Sequence, residues 1–197
     1  MSGSREAILA ALRAGAPAEV PLPDLSKLGA SFLDLRERFA QAVVEVGGKC
    51  VRLPAGSPLE PALLAIPEYA AARKVAALLP GVGKANVDPE AVTDPHSLAD
   101  LDFLVLPGEV GVAENGAVWV VRHGGRGRSA TFLTQHLAIV LSGEALVADL
   151  HAGYRKITIP NPGFGVWLSG PSKTADIEQA LVIGAHGARS CTVFVVD

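Results

Sequence analysis

The sequence predicts a single-domain α/β fold in which an open mixed sheet is flanked by helices. Its 197 residues are a length that one domain can fold around one core. Short apolar runs typical of strands alternate with helical patterns along the chain, as in α/β proteins. The pair Asn115-Gly116 inside apolar flanks predicts a hairpin within residues 110–121, so the sheet should contain antiparallel as well as parallel strands.

The composition narrows the class of protein. Hydrophobic residues make up 49% of the chain and aromatic residues only 5%, which predicts a core of closely packed small aliphatic side chains. The net charge of −3 argues against a nucleic-acid partner, whose phosphates need many Lys and Arg contacts. No cationic leader and no apolar run of membrane-spanning length occurs, so the sequence predicts a soluble cytoplasmic protein without a transmembrane segment.

The two cysteines, Cys50 and Cys191, lie in separate apolar runs and are predicted to be buried free thiols. The chain has no Cys-x-x-C pair and no Cys/His spacing suited to zinc or an iron–sulfur cluster. We therefore expect no metal site and no cofactor in this chain, and any redox metal would belong to a partner protein.

The chain divides into an appendage, residues 1–30, and one domain, residues 31–197. The appendage should hold a short helix from Ser4 to Gly15 and a connector rich in proline. A longer amphipathic helix is predicted from Phe32 to Val46. Further helices are predicted near 57–66, 143–150 and 174–182, and strands at 49–53, 74–79, 103–106, 110–121, 136–141, 166–169 and 191–196. The last two strands read as apolar on both faces, which predicts inner positions in the sheet.

The segment after the predicted strand at 166–169 is the first candidate site. Gly170-Pro171 turns the chain, and Ser172 to Thr174 would supply two hydroxyls and a cation where a helix begins. Ligands of open α/β sheets bind at the carboxyl ends of strands, and a helix N-terminus there offers free N–H groups to an anion. An ordinary helix start is the alternative, in which Ser172 or Thr174 is the cap and Asp176 favours the helix dipole.

The same stretch resembles a known family. The run Ser169-Gly-Pro-Ser-Lys-Thr-Ala-Asp-Ile-Glu178, then Gly184-Ala-His-Gly187 and a terminal apolar strand, is similar to the C-terminal signature of the LUD domain family, the lactate utilisation protein C or YkgG-like group. The resemblance implies a fold related to ribose-5-phosphate isomerase and the CoA transferases (the NagB/RpiA/CoA-transferase type). It also implies a role in oxidising L-lactate to pyruvate beside iron–sulfur partner proteins.

The corner at residues 113–117 is the second candidate. Family members usually look like Glu-Thr-Gly-Thr here, so Asn115 and Ala117 depart from the pattern and remove two hydroxyls. Glu114-Asn115-Gly116 is instead similar to the corner that carries the nucleophilic glutamate of class I CoA transferases, in which a carboxylate attacks a thioester. The alternative is a hairpin turn with an exposed glutamate, since Asn-Gly suits a type I′ turn.

Two more features could contact a ligand. The glycine-rich loop with Arg126 and Arg128 could receive a carboxylate or phosphate, or it could be a solvated loop. We expect it to meet Glu114 and Ser172 at the carboxyl edge of the sheet. His186 lies between small residues before Gly187 and could act as acid, base or donor, and a buried structural histidine is the alternative.

These features leave two hypotheses. One is an accessory or ligand-binding subunit of a lactate-oxidising assembly, which binds a small carboxylate or phosphate. The other is a stand-alone enzyme of the CoA-transferase or sugar-phosphate-isomerase type acting through Glu114. Self-association into a homo-oligomer is left open. The candidate catalytic residues are Glu114 and His186, and the candidate binding residues are Asn115, Gly116, Arg126, Arg128, Ser169, Gly170, Pro171, Ser172, Lys173, Thr174, Asp176 and Gly187.

Overall fold

The computed structural model describes residues 3–17, 20–21, 23–24, 29–122, 125–159, 161, 163–174 and 182–197. The helices are α1 (Ser4–Ala14), α2 (Leu35–Glu45), α3 (Leu59–Leu64), α4 (Pro67–Ala71), α5 (Ala130–Leu133) and α6 (Leu150–Lys156). The strands are β1 (Lys49–Leu53), β2 (Val75–Ala77), β3 (Phe103–Pro107), β4 (Val110–Val112), β5 (Val118–Arg122), β6 (His136–Ser142), β7 (Leu146–Val147), β8 (Phe164–Leu168), β9 (Lys173–Thr174), β10 (Val182–Ile183) and β11 (Ser190–Val196). The predicted α/β class is confirmed.

The central sheet contains five strands in the order β1-β11-β6-β3-β2, and each neighbouring pair is parallel. The terminal strand β11 lies between β1 and β6, so the predicted inner position of residues 191–196 is confirmed. Its side chains from Cys191 to Val195 are buried. A strand that is covered on both faces must be apolar along its length, which is why the sequence pattern identified this strand correctly.

A second sheet carries the antiparallel pairs that make the fold mixed. Its order is β7-β4-β5-β8, with β4 and β8 antiparallel to β5 and β7 parallel to β4. The predicted inner position of residues 166–169 is wrong, because among the described strands β8 is the edge strand of the second sheet and pairs only with β5. Val166 and Leu168 pack on the main core while Trp167 packs on a separate cluster with Trp119. Both faces of β8 thus contact apolar residues although β8 lies at the edge of the described sheet.

The hairpin between β4 and β5 is confirmed, but its turn is longer than the predicted two-residue type I′ turn. Val112 N donates to Ala117 O at 2.8 Å, and Gly116 N donates to Val112 O at 2.9 Å. Gly116 has a φ of +66°, and a Cβ there would lie 2.8 Å from the backbone N of Val43 in α2. Glycine is required at this position because the turn is left-handed and the helix backbone is in contact with it.

Two helical layers cover the central sheet. Phe39 and Val43 of α2 join the largest buried cluster, between the central sheet and the second sheet. On the opposite face Tyr69 of α4 packs edge-on against Phe103, with ring centroids 5.1 Å apart, in a cluster that also contains Phe194. No helix in the described ranges combines the length and apolar character that crossing a membrane requires.

The predicted helix at the start of the chain is confirmed as α1, but none of its residues is buried. Much of the proline-rich connector lies outside the described residues. The predicted helix at 143–150 is wrong: residues 143–145 form a 3₁₀ turn, β7 follows, and α6 begins only at Leu150. Asp149 explains this boundary, because its Oδ1 accepts a hydrogen bond from Ala152 N at 2.7 Å and caps α6.

The cysteines are free, as predicted from their sequence positions. Cys191 is buried, and burial raises the pKa of its thiol to about 12. Cys50 is half-buried, and burial raises the pKa of its thiol to about 11. Both thiols are therefore protonated near neutral pH and are poor nucleophiles or metal ligands in the folded chain.

Asp149 joins the appendage to the start of α6, and a substitution at this residue tests the contact. Its Oδ2 also accepts a hydrogen bond from Ala30 N at 3.2 Å, and its backbone hydrogen bonds hold the pKa of its carboxyl below the usual value. Asp149→Ala should lower the free energy of unfolding by about 1 to 2 kcal/mol at pH 7. Urea denaturation at a series of pH values measures this difference.

Because the pKa of Asp149 is lowered in the folded state, the difference in free energy of unfolding between wild type and Asp149→Ala should depend on pH. The stabilisation is present above the pKa of an unfolded aspartate, about 4, and is lost as the pH falls through the lower folded pKa. Wild type and variant should therefore converge in acid. A difference that stayed constant down to pH 2 would show that the carboxylate charge is not what stabilises this junction.

Candidate functional site

A cavity of about 220 Å³ lies between the loop that follows β8 and the loop that precedes β11. Six of the residues predicted from sequence line it: Ser169, Gly170, Pro171, Ser172, His186 and Gly187. Thr131 of α5, Leu137 of β6 and Ala188 also line this cavity. We call this space the loop cavity. The structure thus brings together two sequence motifs that are separated by more than ten residues.

Backbone hydrogen bonds hold the two loops against each other. Ser172 N donates to Ala188 O, and Gly184 N donates to Ser172 O, both at 2.9 Å. The strands β9 and β10 pair antiparallel and continue this contact. Gly187 lies so close to Ser172 that a Cβ added to it would stand 3.1 Å from the Ser172 Cβ, which explains the need for a very small residue there.

The predicted helix N-terminus at Ser172 to Thr174 is wrong, because Lys173–Thr174 is a strand. The predicted seat for an anion on free helical N–H groups is therefore not formed by these residues, and Ser172 N is already bonded to Ala188 O. The rest of the predicted helix lies outside the described residues, as does Asp176. Lys173–Thr174 instead pairs with Val182 and Ile183 in a two-stranded sheet. The local sequence pattern does not reveal this pairing, because the partner strand lies further along the chain.

Lys173 is directed onto helix α2 rather than into the lining of the loop cavity. Its Nζ donates to Val46 O, the residue after the helix, and to Ser169 O at 3.4 Å. A cation at the carboxyl end of a helix is favourable, because the last carbonyls carry the negative end of the helix dipole. Gly170, with a φ of +71°, lets the loop approach Val46 closely. Direct contact between Lys173 and a bound anion stays a prediction.

The lining of the loop cavity offers hydrogen-bonding groups that the protein leaves unused. Thr131 is only 4% exposed, yet its Oγ1 has no hydrogen-bond partner in the described part of the chain. An unpaired buried hydroxyl costs about 1 to 3 kcal/mol. The His186 side chain is exposed at the rim. The cavity can therefore receive a small polar ligand through a hydroxyl, an imidazole and nearby backbone groups.

The loop cavity does not lie where the sequence pattern placed it. Leu137 belongs to the amino end of β6, and Ala188 comes just before β11. The cavity is therefore at the amino edge of the central sheet, and the predicted location at the carboxyl edge is wrong. The reason is that β8 belongs to the second sheet, so the position of its carboxyl end is not set by the direction of the central strands.

Comparison with known proteins fixes the family. The model of the LUD domain family matches residues 85–196, which include β3 to β11 and both loops of the cavity. The chain belongs to the LUD domain family. Residues 169–172 and 186–187 of this LUD domain are thus within the matched region, as the resemblance of their motifs implied.

Curated relatives and a solved structure agree with this assignment. The chain is 30% identical over 117 residues to lactate utilization protein C of Shouchella clausii, which covers 57% of this chain and 50% of that protein. It is 32% identical over 93 residues to lactate utilization protein C of Halalkalibacterium halodurans, which covers 44% of this chain and 40% of that protein. The chain therefore spans about half the length of these relatives.

A crystal structure of a DUF162 family protein from Deinococcus radiodurans has the same fold. It superposes with a TM-score of 0.57 at 16% sequence identity and covers 83% of this chain and 96% of that chain. At this identity the likeness concerns the fold alone. The α/β class with a mostly parallel central sheet, expected of a NagB/RpiA/CoA-transferase-like domain, is consistent with it.

Glu114 of the LUD domain caps a helix instead of lining the loop cavity. Its Oε2 accepts a hydrogen bond from Leu150 N at 3.2 Å, at the start of α6. Its neighbour Asn115 contacts the cavity loop through backbone, because Ser169 Oγ donates to Asn115 O at 2.9 Å. The Asn115 side chain accepts from Ala117 N at 3.1 Å and so stabilises the turn that Gly116 completes.

The glycine-rich loop and the Glu114 corner do not join the loop cavity. Residues 126–129 form a 3₁₀ turn, and Gly127 is packed against Glu90, where an added Cβ would stand 2.8 Å from the carboxylate. Arg128 is exposed and does not line the cavity. The side chain of Arg126 lies outside what the structure describes. The expected meeting of Glu114 and Ser172 in one cavity is therefore not observed.

Sequence reasoning missed Thr131 and the apolar wall. Thr131 lies in a four-residue helix between apolar neighbours and carries no motif, so only its position in the fold reveals it. Among the described residues, no group of three or more His, Cys, Asp or Glu side chains is arranged to hold a metal ion. The expectation that the chain holds no metal or cofactor stays a prediction.

The contact of Lys173 with helix α2 can be tested by Lys173→Met, which keeps most of the side chain but removes the ammonium. We expect the free energy of unfolding to fall by about 1 kcal/mol, because two carbonyl acceptors lose a charged donor. Urea denaturation measures the change. Lys49→Met, at an exposed lysine of β1, is the control and should change stability by about 0.5 kcal/mol or less. Equal effects in the two variants would contradict the contact.

Proposed function

We propose that this chain is a ligand-binding accessory subunit of an L-lactate utilisation system and that its loop cavity binds a small carboxylate such as L-lactate or pyruvate. The names of the curated relatives support the system. The observation that carries the binding role is the buried, unpaired hydroxyl of Thr131 in the wall of a cavity built by the two family motifs.

The size of the loop cavity favours a small acid over coenzyme A. Its volume is about 220 Å³, below the roughly 300 to 1,000 Å³ of sites that enclose drug-sized ligands. A three-carbon acid fits within such a space, whereas most of a coenzyme A molecule would have to lie outside it. The ligand in this proposal is therefore a short hydroxy or oxo acid.

The chemistry of the lining favours binding over turnover. Thr131, Ser172 and His186 supply two hydroxyls and an imidazole, and no lysine or arginine lines the described cavity. The Thr131 hydroxyl has no hydrogen-bond partner among the described residues, so it lacks the base that nucleophilic catalysis requires. In this proposal the carboxylate is held by neutral donors, namely the hydroxyls of Thr131 and Ser172 and the imidazole of His186.

Oxidation of L-lactate to pyruvate releases two electrons and two protons, which an electron carrier has to accept. We assign this step to iron–sulfur partner proteins in the cytoplasm, because the chain shows free cysteines with raised thiol pKa values rather than a ligand cluster. The role of this subunit is to hold or present the acid. It need not carry electrons itself.

The Thr131 hydroxyl allows a test in which stability and binding change in opposite directions. Thr131→Val removes an unpaired buried hydroxyl, so the free energy of unfolding should stay the same or rise by up to about 1 kcal/mol. Loss of one hydrogen bond to the ligand should weaken binding of L-lactate or pyruvate about tenfold. Calorimetric titration and urea denaturation of the same samples measure the two effects.

Thr134→Val is the matched control, because the Thr134 hydroxyl is also buried but donates to His136 O at 2.9 Å. This variant should lose stability and keep its affinity for the ligand. Equal affinity of wild type and Thr131→Val for both acids would contradict the proposed site. If coenzyme A bound alone and Glu114→Gln abolished thioester exchange, a CoA-transferase-like enzyme would replace the accessory role.

A further inference from the structure

A second and larger cavity lies on the opposite face of the central sheet, between α4 and the amino ends of four parallel strands. Its volume is about 680 Å³, and we call it the edge cavity. Arg73 precedes β2, Asp102 precedes β3, His136 begins β6 and Arg189 precedes β11, so one charged or titratable residue comes from each strand. Glu68 of α4 closes the other side.

The two cavities use alternate residues of the same strands. Leu137 and Ala188 line the loop cavity, whereas their neighbours His136 and Arg189 line the edge cavity. Successive side chains of an extended chain point to opposite faces, which explains this division. The edge cavity is therefore a separate space with its own set of side chains, and none of the motif residues at 169–172 or 186–187 belongs to it.

The positive groups of the edge cavity are available to a ligand. Arg73 and Arg189 are exposed, and neither guanidinium takes part in an ion pair or hydrogen bond in the described part of the chain. Asp102 makes no ion-pair contact with either guanidinium in the described part of the chain, and its Oδ2 accepts hydrogen bonds from Arg73 N at 2.8 Å and Lys74 N at 2.9 Å, although its charge acts on Arg73 from a distance. A guanidinium fork matches a carboxylate with two parallel hydrogen bonds.

Glu68 and His136 define what else the ligand should carry. Oε2 of Glu68 is buried and has no hydrogen-bond partner among the described residues. His136 is held in place, since its Nδ1 lies 2.9 Å from Ser190 Oγ and its ring stacks on Phe103 with centroids 6.3 Å apart. An unpaired buried carboxylate oxygen requires a donor. A ligand with a hydroxyl or amino group beside its carboxylate would supply one.

We propose that the edge cavity binds a small organic acid that carries a hydroxyl or amino group. Arg73 and Arg189 hold the carboxylate, Glu68 accepts a hydrogen bond from the hydroxyl or amino group, and His136 packs between them. The apolar residues Pro67 and Ala71 cover the carbon skeleton. This site is distinct from the loop cavity and does not depend on the function proposed for it.

Propionate, L-lactate and L-alanine form a matched series for the test, because they share the carboxylate and differ only in the group on the second carbon. Calorimetric titration of the full chain in the Thr131→Val background, which weakens the loop cavity, should give a better affinity for L-lactate or L-alanine than for propionate. We expect about a tenfold difference, the value of one hydrogen bond. Ring resonances of His136 should shift as the cavity fills.

Two variants test the contacts with the carboxylate separately from the contact with the hydroxyl or amino group. Arg73→Gln combined with Arg189→Gln should weaken all three acids by about tenfold or more, because charged hydrogen bonds to the carboxylate are lost. Glu68→Met, which removes the acceptor oxygen, should remove the preference and leave propionate binding no weaker than before. The control is Arg5→Gln combined with Arg13→Gln on α1, which removes the same charge from two exposed side chains that line neither cavity. It should leave every affinity unchanged.

The histidines distinguish the outcomes for the two cavities. His136 reports on the edge cavity, and His186 reports on the loop cavity. If the acids shift only the His186 resonances, the proposal for the edge cavity is wrong and the proposed function stands. A shift of only the His136 resonances has the reverse meaning. The proposal is also overturned if no acid in the series binds at millimolar concentration, or if the double arginine variant binds all three as wild type does.

Discussion

The insertion of the last strand between two earlier ones is the constraint on which the rest of the structure depends. β11 pairs with β1 on one side and with β6 on the other, and so joins residues 49–53 to residues 136–142 through the end of the chain. Its position also fixes the segment just before it. Arg189 N donates to Gln135 O at 2.8 Å, and Ser172 N donates to Ala188 O, so the segment before β11 contributes to the walls of both cavities at the amino edge.

Helix α2 is the second fixed support, because the loops of the candidate site rest on its carboxyl end. Gly116 contacts the backbone of Val43, Lys173 donates to Val46 O, and Gly170 approaches the same carbonyl. The hydrogen bond from Ser169 Oγ to Asn115 O then links the loop after β8 to the turn between β4 and β5. The glycines of the family motif thus serve close backbone packing.

The two cavities differ in chemistry although they share the same strand ends. The loop cavity offers hydroxyls and an imidazole without an arginine or lysine in its described lining, whereas the edge cavity carries two exposed arginines and a buried carboxylate oxygen. Thr131 and Glu68 each leave a buried polar atom without a partner among the described residues, which costs stability in the absence of a ligand. Unpaired groups of this kind concentrate at sites of function, where a bound molecule completes them.

The sequence by itself determined the class of fold, the hairpin, the inner position of 191–196 and the motifs whose residues line the loop cavity, because periodicity and glycine positions are local signals. Tertiary structure alone decided the rest. It made residues 166–168 an edge strand with two apolar faces, and it pulled Lys173–Thr174 into a strand and Lys173 onto α2. It also placed Thr131 in one cavity and Arg189 in the other. Such choices depend on partners that are distant in the chain, and no local pattern encodes them.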